Sequence, residues 1–134
     1  MRSTEPVDGC RSVLATSDIK MNKYLVTVFR PNGFDHSVSL DATVRGDIDK
    51  LNDEMETAGL RIFVGGLRPT SEARSAKLCP DGTVTVGDGA YLTADSYVDG
   101  FWILSCRDID EALVWGRNAA MACRASVEVR PFYG

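Results

Sequence analysis

Histidine occurs once in this sequence, at His36, and cysteine four times without a Cys-x-x-Cys pair. The cysteines are Cys10, Cys79, Cys106 and Cys123, at spacings of 69, 27 and 17 residues. That pattern excludes both a zinc framework and a dithiol redox motif. Four free thiols in a reducing compartment follow, and with them an expected cytoplasmic location. A basic excess is also missing: 15 Lys and Arg face 19 Asp and Glu, for a net charge of −4. No general grip on nucleic acid is expected from such a surface, and no basic–aromatic interleaving supports one. No apolar run approaches the roughly 20 residues that span a bilayer, so no membrane contact is expected. Phosphate-loop signatures are absent too. Gly87-Asp88-Gly89-Ala90 resembles such a loop only superficially, since no Gly-x-Gly-x-x-Gly opens a helix and no Gly-Lys-Ser/Thr exists. The expectation is no cofactor and no metal.

What remains is the composition of an ordinary globule. A chain of 134 residues, 44% hydrophobic and 25% charged, is one domain by size. It buries roughly two-thirds of its unfolded surface without needing staples. Residues 1–20 are polar, mixed in charge and without periodicity. They read as a flexible N-terminal extension ahead of a domain spanning 21–134.

"KYLVTVF" (23–29) is β-branched and aromatic and ends in the turn cluster "RPNG", which makes it the first strand. Val44, Ile48, Leu51, Met55 and Ala58 then step by 4, 3, 4 and 3, one apolar stripe on a helix. Asp41 suits its N-cap and Gly59 its left-handed end. "LRIFVGGL" (60–67) is the second strand, with Gly65-Gly66 marking a candidate bulge. "SAKLC" and "TVTVG" flank Pro80-Asp81-Gly82, a hairpin turn. Two Asp-Gly pairs follow, at 88–89 and 99–100; the first should end the hairpin and the second aim the chain into "FWIL". That strand is apolar on both faces and therefore central. Asp108 and Glu111 begin a second helix in the manner of a capping box, with Ile109, Ala112, Leu113, Gly116 and Ala120 at helical spacing. "ASVEVRPF" (125–132) closes the chain as an alternating strand, ended by Pro131.

The order is β-α-β-β-α-β with an inserted hairpin, a ferredoxin-like α+β plan. Both helices must cover one face of an antiparallel sheet. The other face needs a partner, and a second copy of the chain is the simplest cover. A homodimer is expected.

Candidate site residues follow from their chemistry. His36 is the side chain that titrates near neutrality without help, and as a general base it needs an acid partner such as Asp88 or Asp95. Asp88 also suits an Asx turn, with Gly89 supplying positive φ. Tyr91 and Tyr97 are candidates to line a ligand cavity, or to pack their rings and satisfy their hydroxyls at a rim. Glu128 and Arg130 lie two apart on one strand face, as an ion pair or as the lining of a polar cleft, and Arg30 at the end of strand one is a candidate to join them. Trp102 and Trp115 read as core or interface anchors. Between residues 35 and 56, seven acids face Arg45 and Lys50, a solvated outer face.

The segments "AGLRIFVGGLRP", "DGAYLTADSYVDGFWIL", "DIDEALVWGRNAA" and "VEVRPF" resemble the YCII-related domain proteins, in the branch named for the motif DGPFAETKE. The resemblance covers about Lys23 to Phe132. It implies a ferredoxin-like dimer akin to the dimeric α+β barrels. It also implies an undetermined biochemical role, with a regulatory link to extracytoplasmic-function sigma factors suggested for this branch. Some members of the wider group resemble small enzymes with a His-Asp pair proposed as catalytic. The motif's Asp-Gly is kept as Asp88-Gly89. Its Pro-Phe is Ala90-Tyr91 here, and its Ala-Glu-Thr-Lys-Glu is Leu92-Thr93-Ala94-Asp95-Ser96. Members with the His-Asp pair carry the histidine in the first helix, whereas Asp41 to Ala58 contains none.

Three functions stand as expectations. The first is a dimeric small-ligand-binding or regulatory module, with a regulatory protein as a further partner. The second is a cofactor-free small-molecule enzyme working in a cleft near the Asp88 loop. The third is an inactive assembly scaffold. The altered charged motif favours the first and third over the second.

Overall fold

In the computed structural model, residues 20–134 are described; the extension expected at residues 1–20 lies, apart from Lys20, outside the described residues. The elements in order are β1 (Asn22–Pro31), α1 (His36–Ser39), α2 (Ala42–Thr57), β2 (Arg61–Gly66), a 3-10 turn (Thr70–Glu72), β3 (Arg74–Leu78), β4 (Val84–Asp88), β5 (Ser96–Cys106), α3 (Ile109–Cys123) and β6 (Ser126–Pro131). The protein is α+β, with every strand pairing antiparallel. Four strands form one sheet in the order β2-β5-β1-β6, and β3-β4 form a separate hairpin.

Local chemistry sets the helix ends. Asp41 accepts from the Val44 N–H at 3.0 Å, and Asp108 from the Glu111 N–H at 2.8 Å, each satisfying a donor the first turn leaves free. The Glu111 carboxylate reaches back to the Arg107 N–H at 2.8 Å, one residue before the cap. Gly59 ends α2 at φ +75°, a conformation that glycine adopts without strain. Ala58 is the C-cap of α2 and exposed, so it drops out of the expected stripe, while Val44, Leu51 and Met55 are buried.

The core lies between the two long helices and one face of the sheet. It joins Tyr24, Val26 and Val28 of β1 and Trp102, Leu104 and Cys106 of β5 to Leu51 and Met55 of α2 and Ala112, Ala119 and Cys123 of α3. The buried face of α3 is therefore Ala112, Gly116, Ala119 and Cys123, whereas Ile109 and Leu113, expected inside, are 42% and 49% exposed. Small residues win this face because α3 sits close to β6: a Cβ at Gly116 would stand 2.6 Å from Val129 Cγ2.

The opposite face of the sheet is uncovered by any element of the described chain. Register places Phe63, Ile103, Leu25 and Arg130 in one row across it, with Phe101, Thr27 and Glu128 in the next. The rings of Phe63 and Phe101 lie 5.8 Å apart there, and Phe63 is 52% exposed.

Two irregularities shape the sheet. One falls between Arg61 and Phe63 on β2, and not at Gly65-Gly66 as the glycine pair suggested. Close approach there depends instead on Gly100 of β5: a Cβ at Gly100 would meet Gly65 O at 2.8 Å and Gly66 Cα at 3.2 Å. The other falls between Val28 and Phe29, where Val28 pairs with Gly100 but Phe29 pairs with Val98. Asp99 is thus the extra residue of a β-bulge inside β5. The second Asp-Gly pair does not precede the strand as a turn but lies within it.

Candidate functional site

The bulge brings together a constellation that spans the chain. Bulges bend a strand and re-aim its side chains, and here the Asp99 carboxylate meets two partners. Its Oδ2 accepts from Arg30 Nε at 3.3 Å, and its Oδ1 lies 2.7 Å from His36 Nε2.

Each partner is placed by short-range chemistry. Past β1 the chain turns at Pro31-Asn32-Gly33, with the Phe34 N–H bonded to Pro31 O at 3.1 Å and Gly33 at φ +82°. The Asn32 N–H donates to Asp95 O at 2.9 Å, tying this turn to the loop before β5. Asp35 then caps α1, accepting from the Ser37 N–H at 3.0 Å and the Ser37 hydroxyl at 2.6 Å. The Ser37 side-chain and backbone hydrogen bonds hold the Asp35 carboxyl below its ordinary range. His36 is the first residue of this one-turn helix, and its ring packs edge-on to Phe34 at 4.9 Å.

Arg30 is 2% exposed, which a lone guanidinium would not tolerate. Its surroundings explain it. Nη1 donates to the Cys123 carbonyl at 2.6 Å and lies 3.5 Å from that of Arg124, the C-terminal end of α3. That end carries the negative pole of the helix and carbonyls that lack intrahelical partners. The Phe34 ring lies 4.4 Å from the guanidinium carbon as a cation–π contact. A buried cation is thus held by a helix end, a carboxylate and an aromatic face together.

Beside this group is a cavity of about 150 Å³, reached by Arg30, Asp99, Cys123 and Asn52, and otherwise walled chiefly by Val28, Leu40, Ile48, Val64, Phe101 and Trp102. The Asn52 amide is oriented by three contacts: Oδ1 accepts from Trp102 Nε1 at 2.8 Å and from Arg61 Nη1 at 3.4 Å, and Nδ2 donates to Ile48 O at 3.2 Å. Burial pushes the Cys123 thiol up, with Arg30 opposing that shift. Burial likewise pushes the Tyr97 hydroxyl up, and the Asp99 charge adds to it. A larger groove of about 560 Å³ runs between α2 and α3, but charged surface residues such as Lys50, Glu54 and the Asp47–Arg124 pair border it.

The expected site residues divide accordingly. His36, Arg30 and, half-buried opposite Arg30 in the register, Tyr97 belong to this region. Asp88 does not join His36 and makes no Asx turn. It ends β4 and pairs with Arg74 at 2.8 Å across the hairpin, its side chain 88% exposed. Gly89 does take positive φ, at +88°. Asp95 and Tyr91 are exposed in the loop between β4 and β5. Glu128 and Arg130 form a loose pair at 3.8 Å on the edge strand. Arg30 does not join them, because it shares the helix-facing side of β1 with Val26 and Val28 while their partners Thr27 and Leu25 face the other way. Trp102 is a core anchor and Trp115 packs half-buried against the core. Asp99, Asn52 and Cys123 carry the site without having been singled out for it. For Asp99 the available signal was an Asp-Gly pair placed against an apolar strand, which fits a bulge as well as a turn.

Among the described residues no group of three or more His, Cys, Asp or Glu is arranged to hold a metal, and no helix is long and apolar enough to cross a membrane. No protein-family model matches this chain, and no curated protein matches it. The likeness to the YCII-related proteins therefore rests on the quoted residues alone.

Proposed function

We propose that this chain is a small-molecule protein of the YCII-related type that performs proton transfer, with His36 as the acid–base group held by Asp99, and its ligand at the mouth of the cavity that Asp99, and not His36, lines. The observation that carries the reading is the 2.7 Å contact between His36 Nε2 and Asp99 Oδ1. An ionised carboxylate only accepts hydrogen bonds, so Nε2 carries the proton and Nδ1 is the free base of the neutral ring. Asp99 is a positioning residue, and Arg30 holds Asp99 in turn. Chemistry of this kind needs an imidazole and its orienting carboxylate and no cofactor. The histidine comes from α1 and not from the long first helix, so the absence of histidine from Asp41 to Ala58 does not count against it.

The strand order β2-β5-β1-β6, with α2 and α3 on one face, supports a ferredoxin-like domain carrying an inserted hairpin. The uncovered row of Phe63, Ile103 and Leu25 supports a homodimer of the α+β-barrel type, sheet against sheet. Light scattering at high micromolar concentration should give twice the chain mass; a monomer would remove the dimer. The exposed Leu92–Ser96 segment favours a second reading, a binding or regulatory module without turnover, because exposure there suits a macromolecular partner more than a reacting centre.

Two measurements decide between the readings. Nitrogen-15 NMR of the chain's sole histidine should show the Nε2–H tautomer, and Asp99→Asn should erase that preference. Solvent-deuterium incorporation into a panel of small carbon acids should then identify a substrate, with His36→Ala lowering its turnover by about 10²–10⁴-fold. Turnover unchanged in His36→Ala would remove the acid–base role.

A further inference from the structure

The cavity's own chemistry narrows what enters it, an inference that rests on the site proposed above. We infer that it takes a neutral carbonyl compound about the size of a six-membered ring, its oxygen accepting from Arg30 Nη2. Size comes first. An apolar cavity of 150 Å³ holds a benzene-sized molecule, well short of the roughly 300–1,000 Å³ of drug-sized sites.

Donors come next. Arg30 uses Nε on Asp99 and Nη1 on the end of α3, while Nη2 makes no hydrogen bond among the described residues, although the side chain is only 3% exposed. Buried donors of this kind are costly unless something accepts from them. Asn52 Nδ2 spends one hydrogen on Ile48 O and has a second. Its Oδ1 is already taken by Trp102 and Arg61. The polar end of the cavity therefore offers donors, and a ligand must bring acceptors.

Charge decides between acceptors. The Arg30 cation is already balanced by Asp99 and by the negative end of α3. A carboxylate would arrive beside Asp99 with no net positive charge to meet it, in a cavity walled by Val28, Leu40, Ile48 and Val64. A cation would meet the guanidinium. A neutral carbonyl accepts the Nη2 hydrogen bond and leaves both balances intact.

The test uses cyclohexanone, cyclohexanecarboxylate and cyclohexylammonium, followed through the Trp102 indole N–H, which is assigned with Trp115→Phe. Cyclohexanone should shift that signal saturably and bind roughly tenfold or more tighter than either ion, the cost of bringing an unpaired charge out of water. Leu40→Trp, which enlarges a wall residue of the cavity and leaves Arg30 in the chain, should abolish the shift, and Arg30→Met should weaken it by about tenfold. Either ion binding as tightly as the ketone overturns the neutral-carbonyl inference and leaves the proposed site standing. Binding that survives Leu40→Trp places the ligand elsewhere and overturns the inference as well. No shift with any of the three compounds overturns both the inference and the site.

Discussion

Arg30→Met is expected to destabilise the domain by about 3–5 kcal/mol, the range for breaking a buried charged network by removing one partner. Methionine keeps much of the apolar stem, so packing loss is a small part. The Cys123 carbonyl, which accepts from Nη1 at 2.6 Å, is left without its donor inside the protein, at about 1–3 kcal/mol. The positive charge at the end of α3 is lost, at about 0.3–1 kcal/mol on a surface and nearer 2 kcal/mol in a partly buried site. The cation–π contact with Phe34 adds about 0.5–1 kcal/mol. Asp99, with its side chain only 16% exposed, keeps His36 but loses its full-time cation. These contributions share atoms and do not add fully. Urea unfolding followed by tryptophan fluorescence, at one protein concentration, should show a lower midpoint at unchanged m. Asp99→Asn leaves the bond to Cys123 in place and should lose only about 1–2 kcal/mol. A loss under about 1 kcal/mol for Arg30→Met, or one no larger than that of Asp99→Asn, would refute the idea that the guanidinium anchors α3 to β1.

Two further perturbations probe the frame around the site. Gly46 on α2 has nothing within 4 Å of an added Cβ, so Gly46→Ala should stabilise by about 0.5–1 kcal/mol through helix propensity. Gly116→Ala places its Cβ 2.6 Å from Val129 Cγ2 and should destabilise by about 1–3 kcal/mol through overpacking; the reverse order of melting temperatures would dismiss the tight seat of α3 on β6. Burial, reinforced by Glu111 and Asp108, pushes the Cys106 thiol from 9.0 to about 11. The folded chain then keeps a proton that the unfolded chain loses, so stability is full below pH 9 and falls as the pH approaches 11, by on the order of 2 kcal/mol. Cys106→Ala should flatten that part of the urea-midpoint profile against pH, and a profile of unchanged slope would assign the loss to another group.

Most of the fold was legible because local chemistry marks where elements begin and end. Asp41 and Asp108 cap helices where their spacing to an apolar stripe required it, and Gly59, Gly82 and Gly89 all take positive φ. The face of α3 was legible only in part, because Ala112 and Gly116 are buried whereas its larger residues Ile109 and Leu113 are exposed. Alanine and glycine hold that face since β6 comes too close for leucine. The site was less legible for a different reason. His36 and Asp99 stand 63 residues apart in sequence, and nothing near either one encodes the other. Asp99 was also masked by its own neighbour, since Asp-Gly serves a turn and a bulge equally well. Arg30 could have been placed by alternation alone, because it follows Val26 and Val28 on the helix-facing side; its charge argued for the solvent side, and the end of α3 overrode that argument.

The bulge at Asp99 divides β5 into two halves that alternate out of phase. From Gly100 to Cys106 the even-numbered residues are the buried ones, Gly100, Trp102, Leu104 and Cys106. Before the bulge it is the odd-numbered Tyr97 that stands opposite buried Arg30, and Val98 that is exposed. Deleting Asp99 would leave both halves of the strand facing as they do, because Tyr97 would then stand two residues before Gly100 on the same side, and would remove the carboxylate alone. The extra residue at this one position therefore acts as a setting for the site that is independent of the core, and losing it changes what the protein can do far more than whether it folds.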